Sequence, residues 1–242
     1  MKGYIQTVTG PVKKADMGLT LPHEHLFNDL SGVVDEPFYE FSHVLVDKKV
    51  SADIQWGLKY DPYCCCDNMD KKPIEDVIFE LNNFKELGGK TIVDATGSSS
   101  IGRDIRKLKQ VAELTGINVV ASSGLYIEKF EGKRLADDID AMAKMIDDEL
   151  NIGIDGTDIR AGMIGEIGVS PFFTDGEKNS LRAAALAQNN NPYASMNIHM
   201  PGWQRRGDEV LDILLTEMGC DPAKISLAHS DPSGKDIDYQ CK

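Results

Sequence analysis

The 242-residue sequence lacks the features that mark membrane-spanning and secreted proteins. No stretch approaches the roughly 18 consecutive apolar residues of a membrane-spanning helix. The first residues, MKGYIQTVTGP, contain no apolar core of the kind found in secretory signal peptides. Basic residues are in deficit, because 26 Lys and Arg face 39 Asp and Glu and give a formal net charge of −13. Such a surface gains nothing from counterion release, which argues against nucleic acid or an anionic membrane as a partner.

Cysteine is scarce and unevenly placed. Three of the five cysteines, Cys64, Cys65 and Cys66, are adjacent, and the odd total fits neither a disulfide framework nor a C-x-x-C metal motif. Free thiols in an irregular loop are the simplest interpretation, and they predict a cytoplasmic location. Nucleotide and serine-hydrolase motifs are missing too, since no G-x-G-x-x-G follows a predicted strand and GSSSIG departs from a nucleophile elbow at Ile101.

Helical and extended patterns alternate after about residue 73. Amphipathic helices are predicted over about 73–89, 104–115, 135–150 and 208–218, with a further helix after a capping box formed by Thr174 and Glu177. Short strands are predicted at 18–25, 91–96, 118–124, 161–168, 194–200 and 225–231. This alternation predicts α/β architecture with parallel strands and right-handed crossovers. Both an open doubly wound sheet and an eight-stranded barrel begin this way. Because no linker divides the chain, one domain over 1–242 is the simpler interpretation.

The segment 28–73 is long, weakly periodic and rich in aromatic residues and Asp. A segment of this size after a first strand is more often a functional loop than an inert one. Its aromatic side chains are Phe38, Tyr39, Phe41, Trp56, Tyr60 and Tyr63. They could form an apolar wall over a pocket, pack on the outside of the sheet, or contact a partner subunit.

Histidine is rare, and four of the five histidines lie at the carboxyl ends of predicted strands. His23 and His25 share one strand, where residues i and i+2 point to the same side. His199 and His229 end two others, whereas His43 carries no such signal. Active sites of barrels and open α/β sheets are built at this edge. Any one of these histidines alone would more often be structural, but imidazoles from three strands together predict a divalent metal site.

Glu166 interrupts the otherwise apolar strand MIGEIG. A carboxylate in a buried parallel strand needs a strong partner, or it becomes neutral. A metal ion would be such a partner, and a structural ion pair is the alternative.

A set of motifs between about residues 6 and 232 now carries a resemblance. TVTGPV, MGLTLPHEHL, GGKTIVDATG, GTDIRAGMIGEIG, NIHMPG and ISLAHSD occur in that order. Together they resemble the phosphotriesterase-related family of the amidohydrolase superfamily. The resemblance implies a (β/α)8 TIM barrel with two divalent ions at its carboxyl face, most often zinc, with manganese, cobalt or iron as alternatives. It implies that His23 and His25 bind the first ion, that His199 and His229 bind the second, and that Glu166 bridges them where other members carry a carboxylated lysine.

The resemblance also implies an activity. A metal-bridging hydroxide would attack an ester, lactone, phosphoester or amide of a small-molecule substrate. Tyr126 resembles a substrate-facing tyrosine of the family, although a structural role fits equally well. Arg103 could bind an anionic substrate group, but an ion pair with Asp104 or Asp94 is the simpler interpretation. A homodimer is one further expectation for the assembly.

One departure from the family concerns the end of the sequence. The family continues for two more βα units and supplies an aspartate metal ligand after its eighth strand, whereas only about six of the eight units are predicted here. Six strands cannot close an eight-stranded barrel, so we expect that the sequence omits part of a longer protein; completion by another chain or a true short form are the alternatives. Asp231, Asp236 and Asp238 are available carboxylates, but no pattern brings them to the metal. The alternative function is therefore a catalytically inactive metal- or ligand-binding remnant.

Overall fold

The structure is a computed structural model that describes residues 3–136 and 138–241. Its strands are β1 Tyr4–Thr7, β2 Gly10–Lys13, β3 Leu19–Glu24, β4 Gly89–Asp94, β5 Asn118–Ser123, β6 Met163–Gly168, β7 Met196–His199 and β8 Ile225–Ala228. Its α-helices are α1 Gln55–Leu58, α2 Cys66–Met69, α3 Ile74–Glu86, α4 Ile105–Thr115, α5 Glu128–Glu131, α6 Ile139–Asn151, α7 Asp175–Asn190, α8 Gly207–Leu211 and α9 Ile237–Cys241. The helix predicted over about 208–218 begins as α8 and continues as a π-helical turn, Asp212–Glu217.

Strands β3 to β8 form one parallel sheet in which each strand pairs with the next one along the chain. A doubly wound sheet would reverse this order at a switch point. Sequential order is the winding of a (β/α) barrel, with a crossover helix after most strands. The described residues thus contain six strands of such a barrel, and the predicted fold class is confirmed.

Helix ends follow the local sequence. Thr174 Oγ1 accepts the Glu177 N–H at 3.2 Å and the Glu177 carboxylate accepts the Thr174 N–H at 3.1 Å, so the predicted capping box is confirmed. Asp104 Oδ1 accepts the Lys107 N–H at the start of α4, and Gly116 ends that helix with a φ of 73°. A left-handed residue favours glycine at this position. Helix α3 begins one residue after Pro73, which was predicted as its first residue.

The core lies between the outer side of the sheet and the helices. It includes the fully buried side chains Leu81, Leu108, Val119, Ile146, Ile164, Leu181 and Ile198. The hairpin of β1 and β2 was not predicted, and it pairs antiparallel with four residues in each strand. Ile5 of this hairpin packs with Met17 against Val93, Val120 and Met163. The hairpin therefore covers apolar residues of the central strands.

The segment 28–73 consists of short helical turns. Besides α1 and α2 it contains the 3-10 turns Ser31–Val33, Glu40–Leu45, Ala52–Ile54 and Pro62–Cys64. Five of its aromatic rings contact one another, with Phe41 5.2 Å from Tyr39 and 5.3 Å from Trp56 between ring centroids. Tyr63 instead faces Phe130, which follows β5. The segment therefore divides its aromatic residues between a cluster of its own and the carboxyl edge of the sheet.

All five cysteines are free thiols, as the sequence predicted. Among the described residues, no helix is both long and apolar enough to cross a membrane.

Candidate metal centre

The carboxylate of Glu166 lies among the four histidines that end the strands. Its Oε2 atom is 3.3 Å from His23 Nε2 and 3.4 Å from His25 Nε2. Its Oε1 atom is 3.3 Å from His229 Nε2 and contacts His199 Nδ1. Each carboxylate oxygen therefore faces one histidine pair. The donor atoms form two groups that share Glu166, and within each group they lie within 4.8 Å of one another.

The backbone directs these side chains to one point. His23 lies in β3 and His25 directly follows it, His199 ends β7, and His229 directly follows β8. Before Glu166, Gly165 has a φ of 122°, and a Cβ atom there would lie 2.4 Å from the Asn197 carbonyl oxygen. Only glycine fits such a close approach of β6 to β7.

The ends of β3 and β4 are tied together beside His25. The Leu26 N–H donates to Asp94 Oδ2 at 2.8 Å, and the Thr96 N–H donates to Asp94 Oδ1 at 3.0 Å. The Thr96 hydroxyl lies 3.0 Å from His25 Nδ1. If Nδ1 carries the ring proton, the Nε2 atom that faces Glu166 keeps its lone pair, which is the form that binds a metal. Burial raises the pKa of Asp94, although the two backbone donors oppose the shift.

The contacts within the cluster shift the pKa values of Glu166 and His25 in opposite directions. Burial by itself raises the pKa of Glu166, but hydrogen bonds from the surrounding imidazoles outweigh it and hold that pKa far below its usual range. Burial lowers the pKa of His25, but the Glu166 carboxylate 3.4 Å away outweighs it, so that the pKa of His25 is raised. The Glu166 carboxylate is therefore ionised, and positive charge on neighbouring groups stabilises this ionised form.

The residues present fit divalent metal ions. Glu166 Oε2 and both ring nitrogens of His23 are buried without a hydrogen-bond partner. Buried polar atoms of this kind are costly when they remain unpaired. Imidazole nitrogens and a carboxylate oxygen are common ligands of zinc and related ions, and coordination would satisfy Glu166 Oε2 and the Nε2 atom of His23 that faces it.

No aspartate joins the two metal-ligating groups within the part of the chain that the structure describes. Asp231 and Asp238 are exposed, and Asp236 accepts from Arg205 Nε at 3.0 Å. These three carboxylates therefore do not replace the aspartate ligand that the resemblance implies.

Tyr126 lies against the second histidine pair. Its hydroxyl is 3.3 Å from both ring nitrogens of His199, and the two rings meet edge to face with centroids 4.9 Å apart. Burial, together with the charge of Glu166, raises the pKa of Tyr126 well above 10. The phenol therefore stays protonated at neutral pH and can donate a hydrogen bond.

Arg103 has different partners from those predicted. Its guanidinium forms a bidentate ion pair with Glu149 of α6, at 2.6 and 2.7 Å, and donates to the Gly97 carbonyl oxygen. Asp155 lies 3.5 Å away. The predicted ion pair with Asp104 or Asp94 is wrong, because the side chain turns inward to α6. Only 3% of the Arg103 side chain is exposed, and its contacts join the loop after β4 to α6. The prediction that Arg103 binds an anionic substrate group has no support in the structure.

A cavity of about 530 Å³ opens beside the second histidine pair. His199 and His229 line one part of it, and Tyr63, Tyr126 and Phe130 contribute aromatic surface. Thr96 and two residues that line the cavity, Lys129 and Phe130, were not predicted from the sequence. Thr96 could have been found, because it ends the predicted strand 91–96 at the same edge as the histidines. Phe130 and Lys129 carry no signal in the sequence.

Comparisons with known proteins identify the family to which the chain is similar. The chain matches the model of the Phosphotriesterase family over residues 3–242. An N-acetyltaurine hydrolase from Xenopus tropicalis is 34% identical over 235 residues, which cover 96% of this chain and 66% of that protein.

Solved structures give the same result. A resiniferatoxin-binding protein from Rhodobacter sphaeroides has 38% sequence identity to this chain and a TM-score of 0.92. The matched region covers 98% of this chain and 66% of that protein's chain. A mutant of a phosphotriesterase-like lactonase from Deinococcus radiodurans has 28% identity and a TM-score of 0.73, with the same coverage of both chains. The chain thus spans just under two thirds of the length of these relatives. Since the family model matches nearly the whole sequence, the chain belongs to the phosphotriesterase family.

Proposed function

We propose that the protein is a metal-dependent hydrolase of small molecules that holds two divalent ions, most often zinc, at the Glu166 cluster. His23 and His25 would hold one ion, His199 and His229 the other, and Glu166 would bridge them. The single observation that carries this proposal is the division of the carboxylate, with one oxygen toward each histidine pair. A purely structural carboxylate would not need four imidazoles, nor leave Oε2 without a donor.

When bound, two divalent ions would supply Lewis acidity and hydrolytic chemistry at neutral pH. The chain's own groups would orient the substrate around them. The protonated hydroxyl of Tyr126 can donate to the carbonyl or phosphoryl oxygen that gains negative charge during hydrolysis. The Thr96 hydroxyl would keep His25 in the tautomer that binds metal. The aromatic surface of the cavity would hold apolar parts of the substrate and exclude water.

The cleaved bond would be an ester or amide bond of an acyl compound, or the ester bond of a phosphoester. Support for an amide comes from the N-acetyltaurine hydrolase relative, and support for an ester comes from the lactonase relative. The same reaction centre suits both, because each bond has a carbonyl oxygen that becomes negatively charged in the transition state.

The location and partners stay predictions. The five free thiols are compatible with a cytoplasmic protein. The acidic composition argues for a small-molecule substrate over nucleic acid or membrane partners, and a homodimer remains an expectation.

Elemental analysis of the purified chain tests the metal centre. The wild-type protein is expected to hold about two divalent ions per chain. Glu166→Ala is expected to lose both ions, and His25→Ala is expected to lose at least the first. His43→Ala is the matched control, because His43 is exposed and outside the two ligand groups. A wild-type protein without bound metal after reconstitution would contradict the proposal.

Activity is tested on the metal-loaded protein with lactones, carboxyl esters, phosphoesters and N-acyl amides. Hydrolysis that is lost in Glu166→Ala and kept in His43→Ala would support the hydrolase. Metal binding without hydrolysis of any compound would favour the alternative, a metal-binding protein without turnover.

A further inference from the structure

The cavity beside the metal centre has a charged group among its lining residues that the proposed chemistry does not use. Lys129, in the short helix α5, is the one Lys or Arg among the described residues that line it. Lys129 is an exposed residue, with 34% of its side chain accessible, so a molecule in the cavity can reach its ammonium.

A continuous set of aromatic rings joins the metal centre to this ammonium. The Tyr126 ring centroid lies 4.9 Å from that of His199 and 5.7 Å from that of Phe130. The Lys129 Nζ atom then lies 5.4 Å from the Phe130 centroid and 4.6 Å from the Tyr63 centroid. A small molecule along this wall can therefore reach the histidines with one end and the ammonium with the other.

Asp35 fixes the ammonium in this position. Lys129 Nζ donates to Asp35 Oδ1 at 2.8 Å and to Oδ2 at 2.6 Å. Asp35 belongs to the 28–73 segment and is not a lining residue of the cavity. An ammonium has three N–H donors, and the Asp35 carboxylate occupies two of them. The ion pair therefore orders the lysine while one donor remains for a ligand.

We propose that Lys129 is a specificity-determining residue that binds an anionic group at the far end of the substrate. The preferred substrates then carry a hydrolysable acyl or phosphoryl group, a short apolar spacer, and a carboxylate or sulfonate. An anion accepts a charge-assisted hydrogen bond from the remaining N–H of the ammonium, whereas a neutral group accepts a weaker one. This inference rests on the proposed function for the identity of the reacting end, but the binding of the anionic end can be measured without turnover.

The test compares N-acetyl-β-alanine with its carboxamide, N-acetyl-β-alaninamide, which differ only in the charge of the terminal group. Dissociation constants of both compounds are measured by titration calorimetry on the metal-loaded wild-type protein and on three variants. Lys129→Met removes the charge and keeps the length, and Lys129→Arg keeps the charge. Lys133→Met is the matched control, because Lys133 is exposed on the next turn and does not line the cavity.

The wild-type protein is expected to bind the carboxylate more tightly than the carboxamide, by about 10- to 100-fold. Lys129→Met should lose this preference by weakening carboxylate binding alone. Lys129→Arg should keep most of it, and Lys133→Met should keep all of it. Equal carboxylate affinity in the wild-type protein and Lys129→Met would overturn the proposal.

Turnover of the same two compounds separates this inference from the proposed function. Where the wild-type protein hydrolyses both, Lys129→Met should raise KM for the carboxylate and leave kcat nearly unchanged, since the anion is bound away from the reacting bond. A preference for the carboxylate in binding without any hydrolysis would keep the role of Lys129 and contradict the hydrolase. Hydrolysis of both compounds with no effect of Lys129→Met would keep the hydrolase and contradict the role of Lys129.

Discussion

The Nδ1 atom of His25 lies 3.0 Å from the hydroxyl oxygen of Thr96, across the first two strands of the parallel sheet. This contact leaves Nε2 of His25 to face Glu166, at 3.4 Å from Oε2. Partners of this kind fix the tautomer and the ring orientation of metal-binding histidines. The affinity of the first metal site should therefore depend on a residue that is not itself a ligand.

Thr96→Val is expected to weaken binding of the first metal ion by about 10- to 100-fold, because it removes the hydroxyl and keeps the side-chain shape. Competition with a chelator, followed by metal analysis, measures the change for each ion. Thr91→Val is the matched control, since Thr91 is a buried threonine of β4 whose hydroxyl donates to the Met17 carbonyl oxygen. Equal loss of metal in both variants would mean that the effect comes from packing and not from the His25 contact.

Arg103→Met is expected to lower the free energy of unfolding by about 3–5 kcal/mol, because it leaves the Glu149 carboxylate buried and unpaired. Glu149→Leu in the same chain should restore part of the loss, since it removes that uncompensated charge. Urea unfolding measures both variants. Arg182→Met is the comparison, because the Arg182–Glu217 ion pair has the same bidentate form on an exposed surface and should contribute little. Similar losses at the two arginines would contradict the structural role assigned to Arg103.

The error about Arg103 shows where sequence reasoning ends. Glu149 is 46 positions away and lies on α6, and no local pattern links it to Arg103. An ion pair was the simpler interpretation of Arg103 in the sequence, but the carboxylates considered were those of Asp94 and Asp104. A long-range partner is chosen by tertiary packing, which a single sequence does not reveal.

The sequence was sufficient to predict that the four histidines and Glu166 lie close together, because parallel strands end at one edge of the sheet. Histidine is rare in this chain, so four strand-end histidines stand out from the background. Lys129 and Phe130 line the cavity beside His199 and His229. Lysine and phenylalanine are common in loops and at helix ends, so the sequence does not single these two residues out. The hairpin of β1 and β2 was missed for a related reason, since four-residue strands are too short for a reliable alternating pattern.

Thiol reactivity is expected to divide the five cysteines into two classes. Cys66 and Cys241 are exposed, whereas Cys64, Cys65 and Cys220 are buried. Burial raises the pKa of the Cys64 and Cys220 thiols, so an increase in pH forms less of the reactive thiolate at these two residues than at exposed thiols.

Mass spectrometry after a short treatment with iodoacetamide should find two labels per native chain, and five in urea. The variant with Cys66→Ser and Cys241→Ser should show almost no rapid labelling. Rapid labelling of Cys220 in the native protein would contradict the burial of that side chain.

His229 directs its ring toward Glu166 from a left-handed backbone conformation, with a φ of 58°. A residue with a Cβ atom pays about 1 kcal/mol for this conformation, whereas glycine adopts it freely. In metal-free protein, His229→Gly is therefore expected to be more stable than His229→Ala by about 1 kcal/mol. His199 gives the matched comparison, because it contacts the same carboxylate from within β7, where glycine should be the less stable replacement by about 0.5–1 kcal/mol. Urea unfolding of the four variants measures both differences, and the same order of glycine and alanine at the two positions would contradict a strained backbone at His229.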